Sequence, residues 1–177
     1  DPSQPPVEII FSRTTKPPYH PTLLFNGVPL HRVTEHKHLG VILDKKLKFK
    51  KHINEICNKA SKLLGVMKIS KAYVPIPALE KVYISFVRSK LEYGDVLYHI
   101  TPSKRKPFQL LPLETENLPS LMQKLESIQY TAARIITGCW KGSSTTKVYN
   151  LLGWTFLCQR RWANWMSLFH KIIWKKV

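Results

Sequence analysis

The apolar pattern of this chain changes period at Asp44, and that change sets the fold class. Before it, apolar residues come in short β-rich runs: "VEIIFS" at 7–12, "TLLFNGVPL" at 22–30 and "HLGVILD" at 38–44. After it, Ile53, Ile56, Cys57, Ala60, Leu63, Leu64 and Met67 recur three and four residues apart. That is the period of an amphipathic helix, here from about 50 to 70. A chain that places its strands first and its helices afterwards is α+β: short antiparallel strands with a hairpin, then a bundle of about four to five α-helices.

The punctuation fits this division. Asn26-Gly27 between apolar flanks is a hairpin signal, because both residues of the tight turn must accept positive φ. Pro29 then belongs on an edge or beside a bulge, where its missing N–H does no harm. Pro17, Pro18 and Pro21 mark a loop, and "HLGVILD" reads as one further strand ending at Asp44. Pro75 and Pro77 precede a second helix carrying Leu79, Val82, Tyr83, Phe86, Val87 and Leu91, with its end near Gly94. Four prolines then crowd 99–119 around the basic "SKRKPF", which reads as a mobile loop or insertion. A third helix starts at Ser120 and stops at Gly138. "SSTTKVYNLLG" supplies capping residues, a short helix and a terminal glycine. The last helix, about 155 to 175, aligns Cys158, Trp162, Trp165, Phe169 and Ile172 on one face, so its tryptophans are expected in the core. The expected regions are therefore 1–44, 45–98, 99–119 and 120–177.

With 177 residues the chain can bury a sizeable core. Twenty-eight Lys plus Arg oppose eleven acids, a net charge of +17, which points to a polyanionic partner. Nucleic acid is the first candidate and a membrane surface the second. No apolar run approaches the roughly 18 residues that cross a bilayer, so the chain reads as soluble or peripheral at most; no membrane is counted among the expected partners. The opening "DPSQPP" has neither the features of a secretory signal nor an initiator Met, which suggests a piece of a longer product. Three widely spaced cysteines, Cys57, Cys139 and Cys158, suggest reduced thiols in an intracellular protein, nuclear or cytoplasmic.

Chemistry-bearing clusters are sparse. His36 and His38 share a strand face near Asp44 and His52, but the spacing is weakly specific for a metal. Two-metal phosphoryl transfer needs clustered carboxylates. Only Asp1, Asp44 and Asp95 are present, each without a neighbouring acid, and "YGD" at 93–95 is followed by Val96 where a polymerase box has a second acid. No local signature of a nucleophile triad occurs. Basic residues carry more information. Lys45, Lys46, Lys48, Lys50 and Lys51 lead into the first helix, and Lys59, Lys62, Lys68 and Lys71 continue along it. Arg160 and Arg161 open a similar face on the last helix, and Lys104, Arg105 and Lys106 lie in the proline-rich segment. Such faces normally intersperse acids, and uncompensated like charges four residues apart cost about 0.2–0.5 kcal/mol per pair. Phosphates would repay that cost. Trp140, beside Lys141 in "GCWKG", is the best candidate for an exposed stacking aromatic.

In order, "FSR", "FNGVPL", "KHLGVILDKKLKFKKHI", "LEYGDVLY", "KLESIQYTAARIITG", "KVYNLLGWTFLCQRRW" and "FHKII" resemble the C-terminal part of reverse transcriptases from non-LTR, jockey-like retrotransposons. The resemblance runs from about residue 7 to 173, broken chiefly at 99–119. It implies the end of a right-hand polymerase palm followed by a thumb. "KHLGVILD" would be the last palm strand near the primer end, with Lys37, His38, Leu39 and Gly40 closest to it. Lys45 to Lys51 would enter helices that clasp an RNA/DNA template-primer duplex. It also implies Mg2+ in the complete polymerase, together with fingers and the front of a palm that this chain lacks. With no acid pair and no cofactor of its own, the chain is expected not to polymerise alone. The competing expectation is a non-catalytic basic helical module that binds RNA or a protein.

Overall fold

The computed structural model describes residues 5–14, 19–98 and 120–174. The segment 99–119, expected as a basic loop, lies outside the described residues, and with it Lys104, Arg105 and Lys106. The chain forms two compact units, Asp1–His52 and Ile53–Val177, so the lysine run at 45–51 groups with the strands.

The first unit holds β1 (Val7–Glu8), β2 (Leu24–Phe25), β3 (Val28–Pro29), β4 (His31–Arg32), β5 (Glu35–His38) and β6 (Val41–Asp44). β2 and β3 are an antiparallel pair with Leu24 opposite Pro29. Their turn is Asn26-Gly27 with φ of 51° and 80°, the doubly positive geometry that twists strands correctly. In a two-stranded ladder every residue is on an edge, which makes room for Pro29. β5 and β6 form a second antiparallel hairpin, with His38 opposite Val41. Here "HLGVILD" departs from the single strand expected of it. Leu39 (φ 45°) and Gly40 (φ 84°) make another two-residue turn, folding the run back on itself. Gly40 accepts that φ at no steric cost, and it draws Leu39, a residue that rarely goes there, into the turn with it. β1 and β4 pair in parallel, unlike the other two pairs, and the Arg32 Nε–H donates to Glu8 Oε2 at 3.0 Å across them.

The second unit is helical. α1 (Lys50–Ser70) begins in the last residues of the first unit. After it come α2 (Ile76–Val82), a π-helical segment (Tyr83–Arg88), α3 (Ser89–Glu92), α4 (Ser120–Thr137), α5 (Thr145–Leu152) and α6 (Leu157–Ile173). Gly94, Gly138 and Gly153 follow α3, α4 and α5 with φ of 67°, 79° and 64°, the left-handed conformation that ends a helix. Ile53, Ala60, Tyr83, Val87, Leu91, Leu125, Ala132, Ile136 and Leu157 are fully buried. α6 departs from its expected stripe. Its buried residues are Leu157, Cys158 and Arg161, whereas Trp165, Phe169 and Ile172 are exposed. Periodicity gives the angle of a stripe but not how far along the helix a neighbour covers it. Trp165 and Phe169 stack on each other outside, ring centroids 5.7 Å apart.

Candidate nucleic-acid interface

Between β6 and α1 the chain makes a tight loop, and Asp44 is the reason. Asp44 Oδ1 accepts hydrogen bonds from the backbone N–H of Lys46 (3.0 Å) and Lys48 (3.1 Å), and Oδ2 accepts from that of Phe49 (2.7 Å). A carboxylate gathering three backbone donors can hold the loop while Leu47 and Phe49 take φ of 52° and 55°. Phe49 is buried, and His52, also buried, accepts from Ile42 N–H at 3.4 Å through Nδ1. The result is a braced loop whose acid faces its own backbone. Lys45, Lys46, Lys48 and Lys50 are exposed around it. Lys51 pairs with Glu35. Lys37, His38, Leu39 and Gly40 are exposed at the β5–β6 hairpin, with Leu39 78% exposed at its tip.

Replacing Asp44 with alanine removes all three bonds. The expected cost is about 2 kcal/mol, with much faster amide exchange at Lys46, Lys48 and Phe49. Unchanged protection at those amides in a hydrogen-exchange experiment would show that something else braces the loop.

In the second unit Lys59 pairs with Glu55 one turn back on α1, and Lys62, Lys68 and Lys71 are exposed. Trp140 is 79% exposed with Lys141 exposed beside it. The two arginines of α6 do different work. Arg160 forms a two-pronged pair with Glu92 through Nε and Nη2. Arg161 is 1% exposed; its Nη2 donates to Leu91 O at 3.4 Å, and its guanidinium carbon lies 5.8 Å from the Tyr98 ring centre. Arg161 therefore offers no donor at the surface.

Arg161 is one of several buried or part-buried polar groups that sequence reasoning misses. Glu126 on α4 accepts from Tyr149 Oη (3.0 Å) and from Leu157 N–H at the start of α6 (3.1 Å). Gln129 accepts from Tyr83 Oη at 2.8 Å and donates to Thr155 O at 2.8 Å. Trp154 stacks on Tyr83, centroids 4.3 Å apart, and donates through Nε1 to Glu80 at 2.7 Å. Asp95 accepts from Asn164 at 2.9 Å. Most of these residues sit in the fragments "LEYGDVLY", "KLESIQYTAARIITG" and "KVYNLLGWTFLCQRRW"; Glu80, Tyr83 and Asn164 lie outside them. The signal that could have found them is polar residues on otherwise apolar helical stripes, Glu126 and Gln129 above all. Burial holds the carboxyls of Glu126 and Asp95 above their ordinary range. It also raises the Cys57 thiol and pushes that of Cys158 up to about 11, so both stay protonated and unreactive at neutral pH.

Among the described residues, no group of three or more His, Cys, Asp or Glu could hold a metal ion. Asp44 is committed to backbone and Asp95 to Asn164, so this donor set does not fit the paired magnesium ions of a polymerase. Nor, among the described residues, is any helix long and apolar enough to cross a membrane.

No protein-family model matches the chain. No solved structure matches it either. Over 136 residues, 76% of its length, it is 30% identical to the probable RNA-directed DNA polymerase from transposon X-element of Drosophila melanogaster. The chain spans 13% of that protein. It is thus related to part of a retrotransposon reverse transcriptase.

Proposed function

We propose that this chain is the C-terminal, duplex-holding segment of a reverse transcriptase from a non-LTR, jockey-like retrotransposon. The β5–β6 hairpin stands where the primer end would be steadied, and the helices serve as a thumb. Its substrate is an RNA/DNA template-primer duplex, gripped by its backbone whatever its sequence. The catalytic carboxylates and their magnesium ions belong to the part of the palm outside this sequence, so the segment does not polymerise alone. What carries the reading is the loop at 45–50: four exposed lysines on a frame whose acid is turned inward. A solvated lysine face would gain from interspersed acids, whereas a phosphate-binding one would not.

Titration of a labelled RNA/DNA hybrid at several salt concentrations tests the proposal. Log affinity should fall linearly with log salt, by about 0.7 to 0.9 per phosphate bound. A flat response would rule it out.

A further inference from the structure

Trp140 is exposed, yet the loop that bears it is bolted down. Tyr130 on α4 donates its hydroxyl to Ser143 O at 2.6 Å, with Lys141 O also within 3.0 Å. Ser143 N–H donates to Trp140 O at 3.1 Å, closing the turn. Tyr130 and Cys139 pack against the buried cluster of Ala133, Val148 and Tyr149, which ties both sides of the turn to the core. Gly142 completes the arrangement. A Cβ there would stand 2.9 Å from Trp140 Nε1 and 3.2 Å from Cδ1, so only glycine lets the indole edge lie against the turn.

The surroundings are cationic. Lys141 is next in sequence and exposed. The Lys71 ammonium lies 3.1 Å from where a Cβ on Gly138 would be. Arg134 covers the Tyr130 ring, 5.4 Å from its centre. An indole carried on a fixed turn, with its edge against Gly142, has lost part of the freedom that stacking would otherwise cost it. The exposed Lys141 beside it favours a planar group that carries negative charge next to it. In a duplex the base faces are covered by their neighbours, so an aromatic ring reaches them only where bases are unpaired.

We propose that Trp140 is a stacking post for an unpaired nucleobase of single-stranded RNA or DNA, with Lys141 holding an adjacent phosphate. This rests on the nucleic-acid reading above and adds a second substrate class to it. The duplex binds the lysine loop of the first unit, and the single strand binds the second unit.

The test measures binding of the full chain to labelled 12-nucleotide strands of oligo-rU, oligo-dT and an abasic backbone, and to a blunt RNA/DNA duplex. Trp140→Ala should weaken oligo-rU or oligo-dT by about 5- to 100-fold and leave the abasic strand and the duplex unchanged. Equal loss on rU and dT means stacking blind to the sugar; loss on one assigns RNA or DNA, and either supports the proposal. Trp140→Phe should retain most of the affinity, and Gly142→Ala, which displaces the indole, should lose part of it. If Trp140→Ala binds rU and dT as the native chain does, or weakens the abasic strand equally, the stacking post is overturned, even while steep salt-dependent duplex binding stands. Absence of binding to any of the four ligands overturns both readings.

Discussion

Replacing Lys45, Lys46, Lys48 and Lys50 together with glutamate should weaken binding of an RNA/DNA duplex about a thousandfold near physiological salt. Each phosphate left without its lysine takes about 0.9 off the slope of log affinity against log salt. At about 0.15 M salt that amounts to roughly 0.7 log units per lysine, or about three for the four. The salt slope should shrink by about 3 to 4 at the same time. All duplex sequences should be weakened alike, since bonds to the phosphate backbone carry no base information. An effect confined to one sequence would contradict the grip proposed. The loop itself should persist, because its brace is the Asp44 carboxylate and none of the four lysine side chains. Reversal of Lys51 should do less, as that lysine is paired with Glu35.

The largest effect on stability should come from Glu126→Ala. Phe156, which precedes α6, makes no side-chain cap bond, so Glu126 on α4 supplies the acceptor for Leu157 N–H from across the fold. Truncation leaves that N–H buried without its acceptor, and the Tyr149 hydroxyl with the more distant Glu126 backbone oxygen at 3.5 Å. The expected cost is about 2–4 kcal/mol, since a buried donor that loses its acceptor costs about 1–3 kcal/mol, against a total stability of about 5–15 kcal/mol for a domain. Glu126→Gln keeps an oxygen acceptor and should cost far less. The two variants also separate by pH. Burial raises the Glu126 carboxyl above its ordinary 4.5, so the folded state keeps a proton that the unfolded chain has released. Stability should therefore fall as pH rises from about 4.5 through the raised folded value, the reverse of a salt-bridged acid. Glu126→Gln should flatten this slope, leaving the step from Asp95, which burial also raises. Parallel urea-denaturation curves for native and Gln chains between pH 4 and 8 would refute the assignment.

Much of the architecture can be read from residues whose conformational demands are local. Asn26-Gly27 turns a hairpin because those two residues accept positive φ, and Gly138 and Gly153 end helices for the same reason. α1 appears over Lys50–Ser70, where its apolar period places it. The failures are non-local. Leu39 gives no turn signal of its own; the turn it shares with Gly40 and the pairing of β5 with β6 hold it at φ 45°. Arg161 reads as a surface cation beside Arg160 until Leu91 and Tyr98 enclose it. Trp165 reads as core because nothing in a helix's own pattern says where its neighbour stops. For the candidate interface, the sequence shows the lysines but not what arranges them. Asp44 reads as a possible metal ligand, and its carboxylate instead organises the loop.

The polar contacts that tie α2 and α3 to later helices also bear on the order in which the molecule can be made. Glu80 waits 74 residues for Trp154, Glu92 waits 68 for Arg160, and Asp95 waits 69 for Asn164. At ribosomal speeds of about 5–20 residues per second, that is a delay of roughly 3 to 15 seconds. Throughout that interval α2, the π segment and α3 have left the ribosome with carboxylates whose partners do not yet exist. The helical unit therefore closes from its C-terminal end: a nascent chain halted before Trp154 has its apolar helices but not the bonds that fix them.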